Sequence, residues 1–249
     1  MRASWAIATT TIRQLLGVRR MIVFGLAELA PAGVFLLMAQ TLAREAALDR
    51  LLGMVVALYF PLLVPIVTLI LAASALGDER RDGTLSFLVL RPIPRSAISL
   101  SKFGGSVIVA AGLNLFGAVA LTAAYGVETG SWDLVVPLAV GGTFASIVYA
   151  SLFVPLGFFT DRAVLIGLAF VFIFENAVVS ALSGLSALSP WRIGLSAFSG
   201  LAGGEVAFNL DDFGATSLSG FDASLLRTVV IAALSIAATT MVLRRRDLT

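Results

Sequence analysis

The sequence predicts an all-α, polytopic membrane protein with six transmembrane helices. Three observations carry this reading. The 249 residues are 59% apolar and only 13% charged, where a soluble domain has about a quarter of its residues charged. Mean hydropathy is +1.00. The remaining charges fall in short clusters between long uncharged runs. That balance argues against a soluble globular fold and excludes an intrinsically disordered chain.

A helix needs about 20 apolar residues to cross the hydrocarbon core. Six stretches qualify: residues 21–42, 51–76, 103–125, 134–157, 163–185 and 225–243. Membrane-spanning strands would alternate polar and apolar residues over about ten positions. These runs are apolar on every side, so they read as helices. Two further elements complete the single domain 1–249: a helix over residues 1–20 that lies on the membrane surface, and a helix-bearing cytoplasmic segment over residues 77–102.

The basic residues orient the chain. Arg2, Arg13, Arg19 and Arg20 precede span 1, and Arg80, Arg81, Arg91, Arg95 and Lys102 separate spans 2 and 3. Arg162 separates spans 4 and 5, and Arg244, Arg245 and Arg246 follow span 6. Only Arg44, Arg50, Arg192 and Arg227 fall on the other side. Both termini are therefore expected in the cytoplasm. Glu128, Asp133, Glu205, Asp211, Asp212 and Asp222 all fall outside, in agreement. The basic residues act as orientation signals, which gives a nucleic-acid partner no support.

Missing residue types narrow the chemistry. There is no His and no Cys, so disulfides, the usual zinc ligand sets and imidazole-based triads are out of reach, and no metal site or catalytic residue is expected. The only lysine is Lys102, preceded by Ser101. A P-loop needs a Gly-Lys pair to hold phosphates, so this chain cannot form one. The first apolar run is broken by Arg13, Arg19 and Arg20, unlike a cleavable signal.

In the N-terminal helix, Trp5, Ala8, Ile12, Leu15 and Leu16 form an apolar stripe, with Thr10 and Gln14 facing away. Flanked by arginines, this is the pattern of an interfacial helix. In the segment 77–102, Asp78 and Glu79 suit the start of a helix. Gly83 interrupts it, Leu85, Leu88 and Val89 form an apolar face, and Pro92 and Pro94 end it. Ser96 starts the helix that becomes span 3. An apolar face held outside the membrane by charged flanks calls for a partner surface.

Glu79-Arg80-Arg81-Asp82-Gly83-Thr84-Leu85, followed by Leu88, Arg91-Pro92, Pro94-Arg95-Ser96, Ile98 and Lys102, resembles the pattern that joins the second and third transmembrane helices of ABC type-2 exporter permeases. The resemblance implies that this segment is a coupling helix docking on a separate cytoplasmic ABC ATPase subunit. Glu79, Arg80, Gly83, Thr84, Leu85, Leu88 and Val89 would make that contact, while ATP and Mg would be bound by the partner. It also implies a second permease copy or a paralogue, and a prokaryotic cytoplasmic membrane as the setting. Ser86 stands where the family pattern often carries an acidic residue, so no particular salt bridge to the ATPase is implied. The external stretch 186–224 is similar to the short helices that dip back toward the membrane in that family. The Arg-Arg-Arg-Asp-Leu ending is similar to permeases near the nitrous-oxide-reductase maturation group.

Inside the spans, Glu28 lies three residues before Pro31, and Glu175 lies beside Asn176. An ionised carboxylate at the bilayer centre costs about 2.5–3.5 kcal/mol. Each must face the protein interior or a wet cavity, or be protonated. Glu28, Glu175 and Asn176 are therefore candidates for a substrate or cation pathway, with an interhelical polar contact as the alternative for each. Asn114 reads as an interhelical contact. Pro61 and Pro65 are positioned to kink span 2, and Gly141-Gly142 permits close helix approach. Two functions fit: an exporter permease driven by a separate ATPase, or a transmitter that uses the same coupling to act on an extracytoplasmic partner without moving solute. An intramembrane enzyme built on Glu28 and Glu175 has no catalytic motif behind it.

Overall fold

A computed structural model describes residues 2–40, 46–83, 94–178, 189–203, 206 and 218–245. These residues are helical and joined by turns, with no strand among them. Eleven helical elements follow in order: α1 (Arg2–Leu15), α2 (Val18–Ala39), α3 (Ala47–Met54), a π-helix π1 (Val55–Leu63), α4 (Val64–Arg81), α5 (Arg95–Thr129), α6 (Val135–Phe159), α7 (Ala163–Ala169), a second π-helix π2 (Phe170–Val178), α8 (Pro190–Ala202) and α9 (Gly220–Arg245). Among the described residues, five helices are long and apolar enough to cross a membrane: Val18–Ala39, Ala47–Arg81, Arg95–Thr129, Val135–Phe159 and Gly220–Leu243. A shorter apolar helix, Ala163–Glu175, corresponds to the fifth expected span. The chain is an all-α, polytopic membrane protein.

Span 2 is a continuous rod of α3, π1 and α4. Pro61 lies inside π1, and Pro65 opens α4. Each lacks the N–H that an α-helix would donate four residues back. The chain answers with the wider π turn rather than with a simple bend. By contrast, α2 runs through Pro31 without interruption.

The far end of span 2 differs from expectation. Asp78 and Glu79 do not begin a new helix; they sit in the last turns of α4, which continues to Arg81. The glycine on this stretch, Gly77, is buried inside α4 where it packs against Gly157 of α6, and Arg80 and Arg81 suit a helix C-terminus. The stop comes at Gly83, whose φ of +67° is open to glycine without strain. Pro94 then precedes α5, which starts at Arg95. Gly130, at φ +87°, ends α5 and donates its N–H to the Gly126 carbonyl at 2.8 Å.

The core centres on α6, which packs against α4, α5, α8 and α9. Small residues set the spacing. A Cβ on Gly157 would collide with the Ala73 carbonyl, and one on Gly141 would lie 2.6 Å from the Gly194 carbonyl. Gly142 gives its space to the Tyr59 hydroxyl. The expected close approach at Gly141-Gly142 is thus made by two different neighbours, α8 and π1. Most of the α2 and α9 surface faces outward.

The apolar stripe of α1 is split. Leu15 is buried and Ala8 half-buried, α1 packing against α5, while Trp5 is 71% exposed and Leu16 is also outward. Thr11, outside the expected stripe, is fully buried where Gly105 leaves room for it. The helix therefore binds the bundle along one edge and keeps an aromatic and a leucine free along the other.

Candidate functional site

The last turns of α4 reach four other parts of the chain. Asp78 meets Arg20 of α2 at 3.7 Å and accepts from Arg81 at 2.7 Å. Glu79 pairs with Lys102 of α5 at 2.5 Å. Arg80 donates to the Phe158 carbonyl of α6 at 3.2 Å and meets Asp161, in the α6–α7 turn, at 3.7 Å. Arg95, at the start of α5, donates to the Leu243 carbonyl of α9 at 2.7 Å. One end of the bundle is thus tied to α4 by charge, with α9 tied in through α5.

These contacts change the reading of two expected docking residues. Glu79 and Arg80 turn toward neighbouring helices. The Glu79 side chain is 15% exposed and its partner Lys102 only 1%. Gly83 ends α4 itself rather than interrupting a separate helix begun at Asp78. Thr84, Leu85, Leu88 and Val89 lie outside the described residues. Beside Gly83, Gln14, Arg20, Asp78, Arg81 and Asp82 line a polar cavity of about 330 Å³.

Deeper in the bundle, Glu28 is fully buried and both its carboxyl oxygens lack a hydrogen-bond partner. The group lies against Gly117 of α5, where a Cβ would strike it. One turn earlier, Asn114 donates to Thr68 of α4 at 3.1 Å and to Ser146 of α6 at 2.7 Å. The Tyr59 hydroxyl of π1 donates to the Asn114 carbonyl at 2.7 Å. Asn114 is the interhelical contact expected of it, and its Oδ1 has no partner. A region with unused acceptors therefore sits between α2, π1 and α5. Chemically it can receive a proton or a cationic group.

Glu175 has a different environment. Its carboxylate accepts from the Tyr149 hydroxyl of α6 and, at 2.9 Å, from Ser189 Oγ. The backbone N–H of Trp191 also donates to it, and the Arg192 cation lies close by. The residue thus caps the N-terminus of α8, where backbone N–H groups and the helix dipole favour a negative charge. The structure does not bring Glu28 and Glu175 to a common hydrogen-bond network. Asn176 follows Glu175 in π2, outside the residues whose side chains are described.

Tyr149, Ser189 and Arg192 were not expected at this site. The signal for one was present: Ser189-Pro190 is the start signature of a helix, with a hydroxyl residue before a first-turn proline. A second unforeseen feature is the buried pair of Arg50 and Glu128, at the opposite end of the bundle from Lys102. The Arg50 guanidinium also lies 5.2 Å from the centre of the Phe35 ring.

The fold is thus a polytopic helical bundle with a charged hub where α4 ends and α5 begins. The family described as ABC-2 family transporter protein matches residues 18–186, about two thirds of the sequence, and the chain belongs to that family. It is a membrane permease of an ABC transporter, and membership implies association with an ABC ATPase subunit. The matched residues include the hub, Glu28 and Glu175, and they end before α8, α9 and the basic tail. No curated protein matches the chain in a sequence comparison.

Proposed function

We propose that this permease moves substrate out of the cytoplasm using ATP hydrolysed by a separate subunit. ATP and Mg belong to that partner, since the sequence lacks the Gly-Lys pair of a P-loop. Two copies of the chain, or one copy and a paralogue, form the pathway in a prokaryotic cytoplasmic membrane, with both termini in the cytoplasm. Leu85, Leu88 and Val89, together with Thr84, present an apolar face to the ATPase. The observation that carries this reading is the hub on α4. Any displacement of the segment after Gly83 acts on a helix end bonded to α2, α5 and α6. Glu28, with its unused acceptors, is the stronger pathway candidate. Glu175 contributes by fixing α8, and Asn176 adjoins it.

A transmitter function is the second reading. Its support is α8, which is buried between α6 and α9 and gives the opposite side of the membrane a mechanical link to the bundle. ATP turnover in the assembled complex with no movement of any solute would select the transmitter over the exporter.

Docking is tested by Leu85→Asp combined with Leu88→Asp. Burying each leucine contributes about 1.5–3 kcal/mol, and a charge in that contact should release the ATPase subunit while the permease still inserts. Co-purification of the ATPase at wild-type yield would refute the docking role.

A further inference from the structure

Among the ion pairs around α4, the pair between Glu79 and Lys102 is set apart by enclosure. Arg20–Asp78 and Arg80–Asp161 are long, at 3.7 Å, with side chains roughly a third to two thirds exposed. Glu79–Lys102 is short and its lysine is sealed from solvent. Exposed pairs of the first kind hold little, because water and salt screen them. An enclosed pair constrains both partners, because losing either leaves a buried charge uncompensated.

Its place in the chain gives the pair its meaning. Glu79 lies two residues before the end of α4, and Lys102 lies two turns into α5. The segment 84–93 leaves one of these helices and enters the other. The pair therefore closes a bracket across the segment's base. With it intact, a push on the segment moves the ends of spans 2 and 3 as one body. With it broken, each end can follow the segment separately and the displacement is lost locally.

We infer that Glu79 and Lys102 are positioning residues for coupling: they hold the two stems of the docking segment together inside the permease, and neither contacts the ATPase. This inference rests on the proposed ATP-driven function and assigns Glu79 a role opposite to the docking role that its motif implies.

The test uses tagged wild-type chain with the ATPase subunit that co-purifies with it, reconstituted in lipid. Glu79→Gln and Lys102→Met should retain the ATPase subunit at wild-type yield, yet lower the permease-dependent stimulation of ATP turnover by about tenfold. The double exchange Glu79→Lys with Lys102→Glu should restore stimulation to within about twofold, since a re-formed pair closes the same bracket. A purely structural loss would lower yield and turnover together and would not separate binding from stimulation. In the permease alone, Lys102 should be protected from an amine-reactive ester and become reactive in Glu79→Gln. Release of the ATPase subunit by either single variant would place these residues in the docking surface and overturn the inference. Unchanged stimulation in both single variants would overturn it equally. A wild-type chain that retains no ATPase subunit would instead remove the parent reading, a result recognisable before any variant is made.

Discussion

Ser189 Oγ donates to Glu175 Oε1 across 2.9 Å, and that bond ties the residue before α8 to the π-helical part of span 5. Tyr149 of span 4 holds the other carboxylate oxygen. The start of α8 is thus fixed from two spans at once. Its body is fixed by apolar packing, with Ile193, Leu195 and Phe198 all buried.

Removing the carboxylate should loosen α8 without unfolding the bundle. Glu175→Ala strands two hydroxyl donors and the Trp191 N–H, so a loss of about 1–3 kcal/mol is expected. Ser189→Ala, which removes one donor and its bond, should cost about 0.5–1.5 kcal/mol. Thermal unfolding in detergent, followed for both variants, checks the order. A Ser189→Ala variant less stable than Glu175→Ala would contradict the capping role.

The crossing of α6 and α8 should tolerate no added atom. A Cβ on Gly194 would lie 2.7 Å from the Gly141 carbonyl and equally close to the Phe60 ring. Gly194→Ala should therefore shift the two helices apart and cost about 1–3 kcal/mol, the usual range for overpacking. Gly104→Ala is the control, since nothing lies within 4 Å of a Cβ there. Size-exclusion profiles should be aberrant for the first variant and normal for the second.

Orientation is testable in a chain with no native cysteine. A single cysteine replacing exposed Ser96 should react with an impermeant reagent only after cells are permeabilised. One replacing Ser131, in the turn after α5, should react in intact cells. External labelling at Ser96 would invert the topology, and the docking segment could then meet no cytoplasmic ATPase.

The isolated chain should neither bind nor hydrolyse ATP. No Gly-Lys-Ser/Thr sequence is present to hold the phosphates. Equilibrium binding of a labelled nucleotide to purified permease, free of any ATPase subunit, gives the answer. Micromolar affinity would contradict the division of labour proposed above.

Long apolar runs, proline stops and basic clusters are local signals, and they made most of the helices legible in the sequence. The start of α5 after Pro94 and the turn at Gly83 followed from backbone preferences alone. The direction of Glu79 and Arg80 did not, because it depends on Lys102, Phe158 and Asp161, residues remote in sequence that only packing brings near. The same reason hid the link from Glu175 to Tyr149 and Ser189. The burial of Thr11 was illegible for a subtler cause: a polar side chain entered the buried edge of α1 because Gly105 of α5 left a space its size. Its hydroxyl is satisfied within its own helix, by the Ile7 carbonyl at 2.9 Å, so burial left no donor unpaired.

The π-helix in span 2 bears on how the chain can change in length. A π turn closes five residues back where an α turn closes four, so it accommodates an added residue while the helix on either side keeps its facing. Losing a residue from Val55–Leu63, such as exposed Ala57, can therefore be absorbed by tightening the coil to α. The same loss between Val64 and Arg81 would turn everything beyond it by about 100°, swinging Asp78, Glu79 and Arg80 away from the helices they grip. Single-residue deletions should thus be borne within Val55–Leu63 and ruinous between Val64 and Arg81. The wide turn is a length buffer, set where insertions and deletions do least to the aim of the hub.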